Sequence, residues 1–306
     1  MPLPLGLVKA TGADAIRFVD NFTTAAVSGL AVGRGTEAFF TDARGQVLAL
    51  TTILRTENGL LVATPPGLAA PLRDHLEHYH IRESVDLRDV SAETSAVLVA
   101  GPQAAAAVAR LAGCVPPAEM LAHVETEFNG LVARLVRVGH QGPDGCWIVV
   151  PAAAAATVAG ALAAAGVPRA PEQAFEATRL LARYPAATDI PPKTLPQELG
   201  RDAEAISFTK GCYLGQETVA RLDALGHVNR RLVLVAIDAA EPPGVPVAVT
   251  RDGAEVGLLT SACHAAAVGG PVGLGIVQVR ALEAGDLRVA GAPARVLPQA
   301  RESGAG

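Results

Sequence analysis

Apolar residues in this chain fall in short runs, and what separates the runs changes character along its length. Before residue 170 three segments share one grammar: a short apolar strand, a proline, then an alanine-rich helix. "LLVATPPGLAAPLRDHLEHY" predicts a strand over 60–63 and a helix near 68–80. "AVLVAGPQAAAAVARLAG" repeats the pattern around Pro102, and "CWIVVPAAAAATVAGALAAAG" repeats it around Pro151. Proline suits a first helical turn, where its missing N–H has no helical partner to lose. Between the last two segments, "HVETEFNGLVARLVRV" reads as a hairpin, because Asn129-Gly130 can take the positive backbone angles of a type I′ turn.

After about residue 230 the runs become short and β-rich: "RRLVLVAID", "VPVAVT", "EVGLLTS", "VGLGIVQV", "LRVAG" and "ARVLP". Pro-Pro-Gly, Asp-Gly and Gly-Asp turn signals separate them, and no helical period competes. Residues 231–298 are therefore expected to form a small closed or half-closed all-β unit, with "QARESGAG" as a frayed tail. Strands mixed with helices and joined partly by hairpins indicate an α+β fold rather than a doubly wound parallel sheet. The expected division is 1–230, holding two mixed α+β units, and 231–306, the C-terminal β domain.

Length and charge narrow the picture. A chain of 306 residues exceeds the usual span of one hydrophobic core. A formal net charge of -5 leaves no basic excess to displace counterions from a phosphate backbone, so nucleic-acid binding is not expected. Residues 145–168 carry no charge, long enough to raise a membrane span. Yet alanine, glycine and threonine dominate there, Pro151 splits the run and Leu162 is its only leucine, which predicts a buried strand to Val150 followed by a helix lying on a sheet. Cys114, Cys146, Cys212 and Cys263 show neither C-x-x-C nor cysteine–histidine ligand spacing, so no zinc or self-ligated cluster is expected. The start of the chain lacks a basic stretch followed by an apolar one, and the thiols are expected to be reduced, in cytoplasm. His75, His78 and His80 in "HLEHYH" are read as a solvated helix face rather than a metal site.

Special chemistry concentrates in "TKGCYLGQETVAR", residues 209–221. Lys210 is one of three lysines, with Lys9 and Lys193, and Tyr213 is one of three tyrosines. Gly211 and Gly215 can both take positive φ and would bracket Cys212 in a bend. Lys210 beside Cys212 would favour the thiolate, giving a reactive sulfur. Gln216 and Glu217 offer polar contacts, with Arg221 four residues beyond Glu217 as a helical ion-pair partner. The same residues also permit a bland turn with Cys212 buried as a small hydrophobe. Residues 187–208, rich in proline, place this stretch just past an irregular segment where the two parts of the chain meet.

"KGCYLGQE" resembles the K-G-C-Y-x-G-Q-E signature of the YgfZ-type folate-binding proteins, relatives of the glycine-cleavage T-protein, aminomethyltransferase. "GADAIRFVDNFTT", "VLVAGP", "LGHVNRRLVLV" and "VGLLTSA" are similar to further segments of that family, so the likeness runs along most of the chain. The resemblance implies a three-part arrangement around a central folate cavity with a terminal β-barrel. It assigns Cys212 as the active sulfur and Lys210 as its activator, gives Tyr213, Gln216, Glu217 and Arg221 to a tetrahydrofolate species or one-carbon derivative, and makes Gly211 and Gly215 shape-givers. A flat pterin suits an apolar slot with a few polar groups, and its glutamate tail suits arginine. The implied function is a cytoplasmic accessory protein, off the membrane, that supports assembly or repair of iron-sulfur clusters in client enzymes, including tRNA-modifying ones. Two positions depart from the T-protein pattern: "VATPPGLAAPL" holds no carboxylate, and "RLLAR" puts Leu181 where a glutamate is expected. The departures disfavour aminomethyl transfer. That reaction and a non-catalytic folate-binding scaffold stand as the alternatives.

Overall fold

The structure, a computed structural model, describes residues 1–128, 130–139, 141–142, 144–282 and 286–298. After a two-residue strand, β1 (Pro2–Leu3), a first sheet forms from β2 (Gly6–Thr11), β3 (Gly35–Thr41), β4 (Val47–Thr56), β5 (Gly59–Thr64) and β6 (Asp86–Asp89), in the spatial order β3-β4-β5-β2-β6. Helices α1 (Ala15–Asp20) and α2 (Ala69–His78) cover one face, where Phe18, Leu72 and Leu76 meet Val8, Phe40, Ile53 and Val62. A second sheet, ordered β1-β7-β10-β9-β8, takes β7 (Thr94–Ala100), β8 (His123–Phe128), β9 (Leu131–Val138) and β10 (Gly145–Pro151). Strand β1 thus leaves its sequence neighbours and pairs antiparallel with β7, Pro2 opposite Val97.

Strand β10 shows why the uncharged run is uncharged. Cys146, Ile148 and Val150 point to α3 (Ala104–Ala112) and α4 (Ala155–Ala164), packing on Val108, Val158 and Leu162. The alternate residues, Trp147 and Val149, point the other way onto Leu7, Leu54 and Ala63 of the first sheet. A strand covered on both faces has no place for a charge. The result is four layers, helices, sheet, sheet and helices, and no helix among the described residues is long and apolar enough to cross a membrane. Strands β8 and β9 pair as the expected hairpin, Phe128 opposite Leu131; Gly130 has φ +79°, and Asn129 lies outside the described residues.

Residues 172–225 supply α5 (Glu172–Leu181), α6 (Asp202–Ala205) and α7 (Gln216–Leu225). A closed barrel follows, β11-β14-β13-β12-β15-β16, from β11 (Arg230–Ile237), β12 (Val247–Arg251), β13 (Ala254–Ala265), β14 (Gly270–Gln278), β15 (Leu287–Val289) and β16 (Ala292–Val296). It includes one helical turn, α8 (Val279–Leu282), that the strand-only reading lacks. Asp252 and Gly253, at φ 51° and 80°, make the expected turn between β12 and β13. Gly285, of the Gly-Asp turn signal, and the tail from 299 lie outside the described residues. Adjacent Phe39 and Phe40 tie the parts together: Phe40 faces α1 and α2, while Phe39 enters a second core with Leu50, Tyr184, Tyr213, Val219 and barrel residues Leu232 and Leu274.

The seam between the sheets carries a titratable group. The His123 N–H donates to Gly33 O at 2.8 Å, and Arg134 lies 2.9 Å from the imidazole Nδ1. Burial, then the charge of Arg134, push this histidine down to about 4. The unfolded chain takes up that proton near pH 6.5, so stability is full above that value and declines as pH falls toward 4. Between pH 7 and 4.5 the parent protein should lose about 2 kcal/mol more than His123→Gln in urea unfolding; equal losses would remove His123 as the cause.

Candidate functional site

Where the two sheets meet segment 169–187 lies a cavity of about 770 Å³. Its wall is apolar at Leu3, Leu50, Ala63, Trp147 and Phe175, and its lining also holds Thr64, Gln141, Glu176 and Arg179. Trp147 is the chain's single tryptophan and is buried. The Tyr184 phenol is hydrogen-bonded to Gln141 and Thr52, and burial, then nearby Glu37, push it upward. The Arg201 guanidinium sits 5.2 Å from the Tyr184 ring centroid and holds Glu37 through two bonds of 2.6 Å.

Arg179 forms the floor. Its Nε donates to Glu176 at 2.9 Å, Nη2 to Glu176 and to Ser261 Oγ at 2.9 Å, and Nη1 to Tyr184 O at 2.6 Å and Asp189 Oδ2 at 2.8 Å. A guanidinium has five N–H donors, so this one is saturated. Fully buried Asp189 also accepts from Thr260 Oγ1, Ser261 Oγ and the Ala186 N–H. The network locks α5 and the 184–189 turn to β13 of the barrel.

The KGCY motif lies behind this wall rather than in it. None of Lys210, Cys212, Tyr213, Gln216, Glu217 and Arg221 lines this cavity. Tyr213 is buried in the core shared with Leu50 and Tyr184, two residues that do line it. Gln216 and Glu217 open α7 on the outside, and no ion pair joins Glu217 to Arg221 among the described residues. Cys212 is exposed, unlike buried Cys146 and Cys263, so the bland reading of a sealed sulfur does not hold.

Lys210 has other partners than the expected thiolate. Its ammonium, 3% exposed, donates to Asp20 O, Asp20 Oδ1, Thr23 O and Ala25 O at 2.6–3.1 Å and lies 5.3 Å from the Tyr213 ring centroid. Burial lowers its pKa against the opposing pull of Asp20. For Asp20, burial alone would raise the pKa, but Lys210 and the Ser28 and Val27 amides bring it below the usual carboxylate range. The lysine staples the Cys212 loop to residues 20–25. On the other side of the sulfur, Leu214 N–H donates to Asn21 O, and Thr41 Oγ1 donates to Leu214 O.

The two glycines differ. Gly215 has φ +84°, and a Cβ there would sit 2.5 Å from Asp42 O and 2.8 Å from Gly45 Cα, where the β3–β4 turn presses on α7. Gly211 has no positive φ and faces open space, so its expected conformational role is corrected. Gly215→Ala should cost about 2 kcal/mol or more and Gly211→Ala under about 0.5 kcal/mol in urea unfolding; similar costs at both sites would contradict this assignment.

Both departures from the T-protein pattern hold, yet the cavity has carboxylates from other positions. Thr64, Pro65 and Pro66 stand at the first aligned position, but Glu172 and Glu176 enter from α5, upstream of Leu181. The signal was present: Glu172, Glu176 and Arg179 recur at i, i+4 and i+7, one face of a helix. His75, His78 and His80 form no metal cluster among the described residues; they stack edge-on against Phe18, Phe22 and Tyr79. A second cleft of about 720 Å³ carries Arg88 and Arg134, each already paired, with Glu93 and Glu125.

The profile of the GCVT N-terminal domain matches residues 4–209, and that of the glycine cleavage T-protein C-terminal barrel domain matches 230–299. A "tRNA-modifying protein YgfZ" of Shigella boydii is 29% identical over 245 residues, covering 78% of this chain and 71% of that one. An aminomethyltransferase of Synechococcus elongatus is 30% identical over 186 residues, covering 60% of this chain and 49% of that one. The chain likewise spans 65% of the length of a chloroplastic Arabidopsis thaliana protein with which it shares 26% identity. In three dimensions it superimposes on the glycine cleavage aminomethyltransferase T of Bartonella henselae with a TM-score of 0.83 over 96% of this chain and 83% of that one, at 22% identity, a likeness of fold.

Proposed function

The chain belongs to the glycine-cleavage T-protein family, as a YgfZ-like member, and on that footing we propose that it binds tetrahydrofolate or a one-carbon derivative and serves as a cytoplasmic accessory protein for assembly or repair of iron-sulfur clusters in client enzymes, including tRNA-modifying ones. The observation that carries the folate part is the cavity itself. Trp147, Phe175 and Leu50 give an apolar wall of the kind a flat reduced pterin needs, and Gln141 and Glu176 supply polar atoms on the same lining. Each Glu176 oxygen takes one N–H from Arg179 and keeps lone-pair capacity for a ligand donor. Tetrahydrofolate, when bound, would supply a nucleophilic nitrogen that carries a one-carbon unit; these residues orient it and exclude water.

Cys212 supports the second half of the proposal. Stapled on one side by Lys210 and on the other by Leu214, its thiol is exposed and free of a disulfide. It can reach a client's iron or sulfide without unfolding of the loop. Trp147 gives a direct readout: anaerobic addition of tetrahydrofolate should change the protein's fluorescence saturably, and an unchanged signal together with a flat calorimetric titration would refute folate binding. Cys212→Ala should keep that binding while losing support of a cluster-dependent tRNA-modifying enzyme; full support by the variant would remove the sulfur's role and favour a folate-binding scaffold. A second reading, aminomethyl transfer, draws on Glu172 and Glu176. Methylenetetrahydrofolate formed from an aminomethylated carrier would establish it, and none formed by folate-loaded protein would exclude it.

A further inference from the structure

Along the faces that the two sheets turn toward each other, the residues change from apolar to cationic. Leu7 on β2 and Val136 on β9 meet in the core between the sheets, and two residues further along the same strands stand Lys9 and Arg134. Val8 and Ala10 face the helices, so Lys9 between them faces the second sheet. Arg134, between Ala133 and Leu135 of the helix-side core, faces back toward the first. Arg88 lies directly opposite Lys9 in the β2–β6 register. All three cations line the cleft of about 720 Å³, whose apolar floor at Leu61, Val90 and Val149 is the end of the shared core. Val32 and Val132 border it, 54% and 61% exposed.

The acids on the lining do not use these cations up. Glu93 takes Arg88 at 2.9 Å, Glu125 takes Arg134 at 2.6 Å, and Glu57 is exposed on the turn between β4 and β5. Arg134 is held from two sides, by Glu125 and by His123 Nδ1 at 2.9 Å. Two of its five N–H donors are spent there, and the other three have no acceptor among the described residues. Lys9 makes no ion pair or side-chain hydrogen bond among the described residues, and the like charge of Arg88 directly opposite it is unfavourable. An anion between Lys9 and Arg134 would offset that repulsion and occupy the open side of the guanidinium fork. A phosphate monoester brings nearly two charges and three acceptor oxygens, which suits an ammonium plus a fork better than the single charge of a carboxylate.

We propose that this cleft binds a small organic phosphate monoester, its phosphate held by Lys9 and the free N–H groups of Arg134 and its apolar body laid on Leu61, Val90 and Val149. The cleft volume suits a small ligand, and a net charge of -5 disfavours a long polyanion. The site is separate from the Trp147 cavity and stands whether or not folate binds there. Calorimetric titration of the full chain tests it with three probes that share one ring system: naphthyl phosphate, naphthoate and naphthol. Naphthyl phosphate should bind the parent more than about threefold tighter than either of the others. Lys9→Gln should weaken it about tenfold, the scale of one charge-assisted contact, and leave naphthol unchanged. Lys193→Gln removes the same charge outside the cleft and should leave the phosphate's affinity within about threefold of the parent's. No binding of naphthyl phosphate by the parent, naphthoate bound within about threefold of it, or equal losses in Lys9→Gln and Lys193→Gln would overturn the proposal.

Discussion

Arg179→Leu is expected to lower the free energy of unfolding by about 3–5 kcal/mol, the scale for a broken buried ion pair. The reason lies in what is left behind. Asp189, fully buried, keeps its bonds from Thr260, Ser261 and Ala186 but loses its charge partner. Tyr184 O loses its donor, and the turn it belongs to forms part of the cavity wall. Ligand affinity should therefore drop together with stability, although no free donor of Arg179 faces the ligand. Adding Asp189→Asn should recover part of the stability, because an amide tolerates the site without a cation. Urea unfolding of the parent and the two variants decides it: a loss under about 1 kcal/mol, or no recovery in the double variant, would show that the network does not hold barrel and sheets together.

Lys210→Met should cost a similar amount, about 3–5 kcal/mol, because it removes the ammonium shared by three carbonyls of residues 20–25 and leaves Asp20 without its cation. A second measurement separates stapling from activation of sulfur. If the lysine only staples the loop, the pH profile of Cys212 alkylation in the folded variant should match the parent, and partial unfolding should raise the rate uniformly. A profile displaced to higher pH in Lys210→Met would restore the lysine as the group that ionises the thiol. Lys210→Arg should not rescue stability, since a planar five-donor fork does not fit a pocket shaped around a compact ammonium.

Much of the architecture was legible one strand at a time. The strand–proline–helix units appear as β5 to α2, β7 to α3 and β10 to α4, and the six β-rich runs after residue 230 are the six barrel strands. Each is a local pattern in which side-chain alternation and turn chemistry agree. The site was less legible. The KGCY stretch stood out by its residue types, but its packing could not be read from them: Tyr213 enters the core shared with Leu50 and Tyr184. The residues that do line the cavity, Trp147, Gln141, Arg169, Glu172 and Glu176, lie in three separate segments, and no short motif joins them.

By itself the sequence determined the element types, the α+β class, the barrel and the presence of an unusual cysteine, because these depend on neighbours within a few residues. Only the tertiary structure decided that β1 crosses to the second sheet, that Lys210 reaches back to residues 20–25, and that Arg179 finds its partners at 189 and 261. Apart from the 179–189 pair, those pairings span long stretches of chain, and all exist because a buried donor or acceptor must be satisfied by whichever group the folded layers bring within hydrogen-bond reach.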